Sequence, residues 1–248
     1  MLSDPHIVTW IILTFLLAGT VKGVVGSGLP TVSLGVLTAV IGLHPAMALM
    51  LAPTIVTNVW QALVGGHFRT VLVRAWPFFL VATASIWLGA MALTRVNVSV
   101  LSALLGLLLA VYGALGLFAR PMTVTKAAET WAGLVAGFFN GAFGGMTGAF
   151  AFPGVPYLQA LGLTRDQLIQ AMGMLFTTST VALALALSGQ KLLSVDIGLA
   201  SVLAILPALA GMVLGQQLRR RLSEARFRRV FFSAQIALGG YIVLRAVV

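Results

Sequence analysis

An all-α protein that crosses a membrane many times is the expectation from three observations on the 248-residue chain. It is 60% hydrophobic, only 8% charged, and its apolar blocks recur from end to end. Each block is about long enough for a hydrocarbon core of roughly 30 Å. A soluble domain of this composition would have too little polar surface to cover itself. A membrane barrel would show short segments of alternating polarity, and these are absent. The formal charge of +10 could suggest nucleic acid, but the basic residues sit in short loops between apolar blocks, where they read as topology signals and imply no nucleic-acid partner. The absence of cysteine excludes disulfides, thiol redox chemistry and thiolate metal sites. Residues 1–6 carry no basic segment, and no small-residue cleavage site follows, so the first apolar block is expected to stay as structure.

In chain order, the block 7–43 is too long for one helix and is interrupted at Gly26-Ser27-Gly28. Single crossings are expected over 44–66, 74–94 and 97–118. The block 129–163 repeats the first pattern, with its interruption at Gly144-Gly145-Met146-Thr147-Gly148. Crossings over 166–189, 194–216 and 230–247 complete the second half. Gly19, Gly23 and Gly26 recur as Gly137, Gly141 and Gly144 at an offset of 118. Gly28 then matches Gly148, and Gly42-Leu43 matches Gly162-Leu163, at an offset of 120. Pro53 and Asn58 fall opposite Gly173 and Thr178. One spacing kept across two stretches points to an internal repeat, 1–121 and 127–248, within one membrane domain.

Loop charge decides between parallel and inverted repeats. If each long block crosses once, the two sides hold eight and six basic residues, nearly no bias. If each block is a hairpin, one side collects Arg69, Arg74, Arg120, Lys126, Arg165 and the six arginines of 219–229, and the other keeps Arg95, Lys191 and Arg245. Eleven against three is the bias that the positive-inside rule describes. Each half is then a glycine-broken helical hairpin, either fully spanning or re-entrant, plus three transmembrane helices. The halves are inverted, and both termini lie outside. Inverted repeats with interrupted helices place substrate sites near the midplane.

These features resemble the sulfite exporter TauE/SafE family over essentially the whole chain. The resemblance rests on the two glycine-rich stretches, the first around Gly19, Lys22, Gly23, Gly26 and Gly28, the second around Gly137, Asn140, Gly141, Gly144, Gly145, Thr147 and Gly148. Pro153 and the run from Tyr157 to Leu163 follow the second. That stretch departs from the commoner Gly-Gly-Pro ending by reading Thr147-Gly148-Ala149. The resemblance implies export of sulfite or small organosulfonates across a bacterial inner membrane.

Lys22 is the residue with most to explain, because a lysine at membrane depth costs about 2.5–3.5 kcal/mol. Near a helix end its amine would snorkel to the headgroups. Held at depth, it offers three donors and a charge to an oxyanion. Gly19–Gly23 and Gly137–Gly141 read as close helix packing. The denser runs, Gly26-Ser27-Gly28 and Gly144 to Gly148, add an anion site at half-helix N-termini as a second reading. Asn58 and Asn140 need an interhelical or ligand partner at this depth. Thr177 and Thr178 either bond to their own helix or line the path.

The arginines of 219–229 read as an anchoring segment touching anionic lipids. His6, His44 and His67 are too scattered for a metal site, and neither metal nor cofactor is expected. Asp4, Glu129, Asp166, Asp196 and Glu224 all fall at or near loops, which weakens both an intramembrane enzyme and carboxylate-coupled transport. The expectation is a non-enzymatic exporter of a small inorganic or organic anion by facilitated efflux with alternating access. An anion channel, an importer, a membrane module without substrate, and an oligomer remain open.

Overall fold

A computed structural model describes residues 4–119, 122–219 and 223–247. The expected end of the first repeat at 121, together with Arg120, Arg220 and Arg221, lies outside the described residues. Among the described residues the chain is helical. Asp4 accepts from the His6 N–H at 2.9 Å and Pro5 fixes the first turn of α1, Pro5–Val25. Gly26 ends α1 with φ 86°, and Gly28 opens α2, Leu29–Ile41, with φ 104°. Two left-handed residues so close together turn the chain sharply. After α3, Leu43–Leu49, comes α4, Leu51–Leu63. Next are α5, Phe68–Ala90, continued by a 3-10 turn over Met91–Thr94, and α6, Val98–Phe118, capped by Asn97. The second half runs through α7, Glu129–Thr147, and α8, Gly154–Ala160. It continues with α9, Arg165–Gly189, which starts in a Thr164/Gln167 capping box. Then come α10, Val195–Leu203, α11, Ile205–Arg219, and α12, Glu224–Val247.

Six spans among the described residues are long and apolar enough to cross a membrane: α1, α5 with its 3-10 turn, α6, α9, α10 with α11, and α12. The α3–α4 pair is a seventh if its 42° bend counts as one broken span. All five tryptophans, Trp10, Trp60, Trp76, Trp87 and Trp131, are at least 44% exposed, as expected for rings facing lipid and headgroups rather than a core.

Three sequence expectations need correction. The crossing 44–66 is bent near Met50, because Pro53 has no N–H to continue the helix ladder. The second glycine run does not break the helix at Gly144: α7 continues through Gly144, Gly145 and Thr147, and the turn begins at Gly148. The last helix starts at Glu224 rather than 230, so Arg226, Arg228 and Arg229 belong to its first turns and not to a loop.

The helices gather into two compact units, each drawing on both halves of the sequence. The first comprises Met1–Pro53, Val96–Ala119 and Lys191–Val248. Here α1 packs chiefly on α11 and α6 on α12. Gly19 faces the Ala208 carbonyl and Gly23 the Met212 carbonyl, so α1 and α11 run parallel. Gly106 lies against Gly239, and Gly113 against Phe232 and Ile236, so α6 and α12 run antiparallel. The Arg228 guanidinium donates to the Gly116 carbonyl at 2.9 and 3.2 Å, finishing the last turn of α6.

The second unit comprises Thr54–Arg95 and Arg120–Gln190. Its main contact is α5 on α7, again parallel, with Gly137 at Phe78, Gly141 at Ala82 and Gly145 at Ile86. The helices α4 and α9 run antiparallel. Gln61 and Ala62 lie at Gly173, while Gly65 and the His67 N–H meet Gln170. Two glutamines stitch this seam: Gln61 Nε2 donates to the Ile169 carbonyl at 2.7 Å, and Gln170 Nε2 to the Ala62 carbonyl at 2.8 Å. Arg74 ties three helices together, reaching both Glu129 carboxylate oxygens at 2.6 and 3.1 Å and the Leu161 carbonyl at 2.7 Å.

Candidate functional site

In the first unit Lys22 sits in the last turn of α1 and is only 3% exposed. A snorkelling lysine would leave its ammonium at the surface; this one is enclosed by its own chain. The backbone beside it explains the enclosure. Gly26 is the left-handed cap of α1, its N–H donating to the Lys22 carbonyl at 2.7 Å. Ser27 is buried, and a Cβ at Gly28 would meet Val21 and the Phe231 ring at 3.0 and 3.4 Å. Gly26 therefore closes a helix C-terminus rather than opening a half-helix N-terminus. On the α2 side, Pro30 removes one of the first-turn donors.

In the second unit Gly148 caps α7 in the same way, its N–H donating to the Gly144 carbonyl at 2.7 Å. Thr147 belongs to this cap: its hydroxyl donates to the Phe143 carbonyl at 2.7 Å and accepts from the Ala149 N–H at 3.2 Å. Neither Gly144 nor Gly145 faces an open loop. A side chain at Gly144 would strike the Phe150 ring, and one at Gly145 the backbone of α5 at Ile86. Asn140 is fully buried, and its Oδ1 accepts from the Gly154 N–H at 2.9 Å, fastening the start of α8 to α7. Its Nδ2 donor has no partner among the described residues.

Lys22 and Asn140 hold matching places. Each directly precedes a glycine, Gly23 or Gly141, that presses on the partner helix, and each is buried. Measured to the caps, α7 is one turn longer beyond this point than α1. That extra turn is why the second glycine run is helix through Thr147 and breaks only at Gly148.

The hydroxyls divide. Thr178 donates back to the Met174 and Leu175 carbonyls, both at 3.2 Å, so its oxygen serves its own helix. Thr177 Oγ1 has no partner among the described residues, and neither do the buried hydroxyls of Thr54, Ser179 and Thr180. Thr177 and Thr180 lie one and two turns beyond Gly173, on the face of α9 that meets α4. Asn58 is fully buried on α4.

Two residues on later helices escaped the sequence reading. Gln235 on α12 is 2% exposed, and neither end of its amide has a partner among the described residues. It stands one turn from Phe231, the ring that covers Gly28, and its Cβ lies against Gly113. Ser201 on α10 bonds the α3–α4 junction. One signal was available for Gln235, an amide inside the apolar run of α12; a lone serine in a membrane helix gives none. Of the arginine segment, Arg219 ends α11, and Arg226, Arg228 and Arg229 are exposed on α12.

No curated protein and no solved structure matches the chain. A family model does, described as sulfite exporter TauE/SafE, and it covers residues 11–242. The match takes in both glycine-rich turns and every helix but the extreme ends of the first and last. The chain is a multi-pass membrane protein and belongs to the sulfite exporter TauE/SafE family of membrane transporters.

Proposed function

We propose that the protein exports small anions, sulfite or organosulfonates, across a bacterial inner membrane by facilitated efflux with alternating access. The observation that carries this reading is Lys22. A buried cation at the glycine-broken end of α1 is costly inside a membrane protein, and an anionic substrate is the ligand that a cation there would recognise. Ser27 and Gly28 form the turn beside it, shaped by the Gly26 cap. In the second unit Asn140 supplies a neutral donor at the matching place, two turns before the α7 cap that Gly144, Thr147 and Gly148 form, with Gly145 pressed on α5 between them. Asn58 and Thr177 are the further contacts, and Thr178 is a lesser one, since its hydroxyl already serves its helix.

The inverted-repeat reading is supported by helix direction. The equivalent helices α4 and α9 run antiparallel within one unit, and α6 and α12 do so within the other. The exchanged pairs α1–α11 and α5–α7 are both parallel. Repeats related by a rotation axis along the membrane normal would make α4 parallel to α9 and α6 parallel to α12. With α12 entering from the arginine-rich side, the positive-inside rule puts both termini in the periplasm and the exposed arginines against anionic lipids.

Outward movement of one negative charge gains about 2.3 kcal/mol per 100 mV of inside-negative potential, so a uniporter suffices. The test is sulfite and small-sulfonate flux in proteoliposomes. Wild-type flux should saturate with concentration, and Lys22→Ala should abolish the saturable component. Equal flux in the two proteins would remove Lys22 from the path.

A further inference from the structure

The α3–α4 junction is repaired from outside. Pro53 has no N–H, so the Leu49 carbonyl cannot receive its helical bond from four residues on. The Ser201 hydroxyl, from α10, takes that place and donates to the Leu49 carbonyl at 2.9 Å. The same oxygen accepts from the Ala52 N–H at 3.0 Å. One buried hydroxyl thus serves a backbone acceptor and a backbone donor on either side of a 42° bend. In a membrane interior such groups find no water and must be satisfied by protein.

The place of the bend gives the clip its consequence. Of the four points at which the chain passes from one compact unit to the other, three fall in connections between helices. The fourth, Pro53 to Thr54, lies inside α4, directly after this junction. The first residues beyond it carry Thr54 and, one turn on, Asn58. Whatever sets the angle between α3 and α4 sets the line along which those side chains are presented.

We propose that Ser201 is a positioning residue, a hydroxyl clip that holds the α3–α4 bend and thereby aims α4 with Thr54 and Asn58. Its link to transport rests on the reading of Asn58 as a substrate contact; the clip itself does not. With the clip closed, the bend is fixed. With it open, the Leu49 carbonyl and Ala52 N–H lose their partner and the junction becomes a hinge.

The decisive pair is Ser201→Thr against Ser201→Val, two side chains of nearly one shape that differ in the hydroxyl. Hydrogen–deuterium exchange on the full chain in detergent should show the 49–57 segment exchanging about 2- to 10-fold faster in the Val variant, the range expected for one lost hydrogen bond. The Thr variant should keep wild-type protection. Adding Pro53→Ala to the Val variant restores an N–H for the Leu49 carbonyl and should recover part of the protection. In proteoliposomes the Val variant should need more sulfite for half-saturation, and the Thr variant should not. Wild-type exchange in both variants would overturn the clip. Faster exchange with unchanged half-saturation would overturn its role in aiming α4. Absence of sulfite flux in the wild type would strike the proposed function and leave the exchange result to decide the clip. Should the Val variant fail to fold, Ser201→Cys, a weaker donor of similar size, should give intermediate exchange, and wild-type exchange there would equally overturn the clip.

Discussion

A polar side chain inside a membrane protein is informative in proportion to what its own chain leaves undone for it. Thr178 and Thr147 are settled by their own backbone. Asn140 is half settled, its oxygen holding Gly154 and its Nδ2 without a partner among the described residues. Gln235 is the extreme case, with neither end of its amide partnered among the described residues. A buried amide of that kind costs on the order of 1–3 kcal/mol. Gln235→Met keeps the length of the side chain and removes the cost. The expected result is a rise in apparent melting temperature in detergent, read by a scanning thermal-unfolding assay. A fall would mean that Gln235 has a stabilising partner, such as a retained water, which the packing around it conceals.

At the scale of elements, the parallel pairs α1–α11 and α5–α7 are built on backbone-to-backbone approach. A Cβ at Gly141 would overlap the Ala82 carbonyl, and α5 has no room to retreat because α9 lies against it as well. Gly141→Ala should therefore lower stability by about 1–3 kcal/mol, the usual cost of overpacking. Gly240 on α12 has none of the described residues within 4 Å of its Cβ position, so Gly240→Ala should raise stability by up to about 1 kcal/mol through helix propensity. Thermal unfolding of the two variants checks the opposite signs. The same contrast shows why some elements were legible beforehand. The first break was, because Gly26 and Gly28 must adopt left-handed backbone there and Pro30 starts the next helix. The second falls only at the last residue of the expected run, Gly148: Gly144 and Gly145 look like a loop in sequence, yet one gives way to Phe150 and the other to α5, requirements only the neighbours impose. The bend at Pro53 was not anticipated in the single crossing expected over 44–66, and nothing about Ser201 announced the hydroxyl that holds it. Lys22 stood out because a charge in an apolar run is conspicuous wherever the chain takes it; Gln235 and Ser201 depend on company that the sequence does not display.

For the whole molecule, topology is where charge and packing meet. The basic residues favour hairpins over single crossings. The antiparallel seams α4–α9 and α6–α12 come from glycine and glutamine contacts that know nothing of loop charge. Both lines favour the same arrangement, inverted repeats whose ends return to one side. On the proposed topology Arg226, Arg228 and Arg229 at the start of α12 face the cytoplasm, and α12 carries the chain outward from them. A reporter that is active only outside the inner membrane, fused after the last residue, should be active. The same reporter inserted between Gly66 and His67, beside Arg69, should be silent, because that connection lies on the basic side. Activity at both places, or silence at the C-terminus, would break the inverted arrangement. The single crossings of the alternative topology leave the charge bias at eight against six, and parallel repeats would require α6 and α12 to run the same way. Neither alternative accounts for the antiparallel contact of Gly106 with Gly239 and of Gly113 with Phe232.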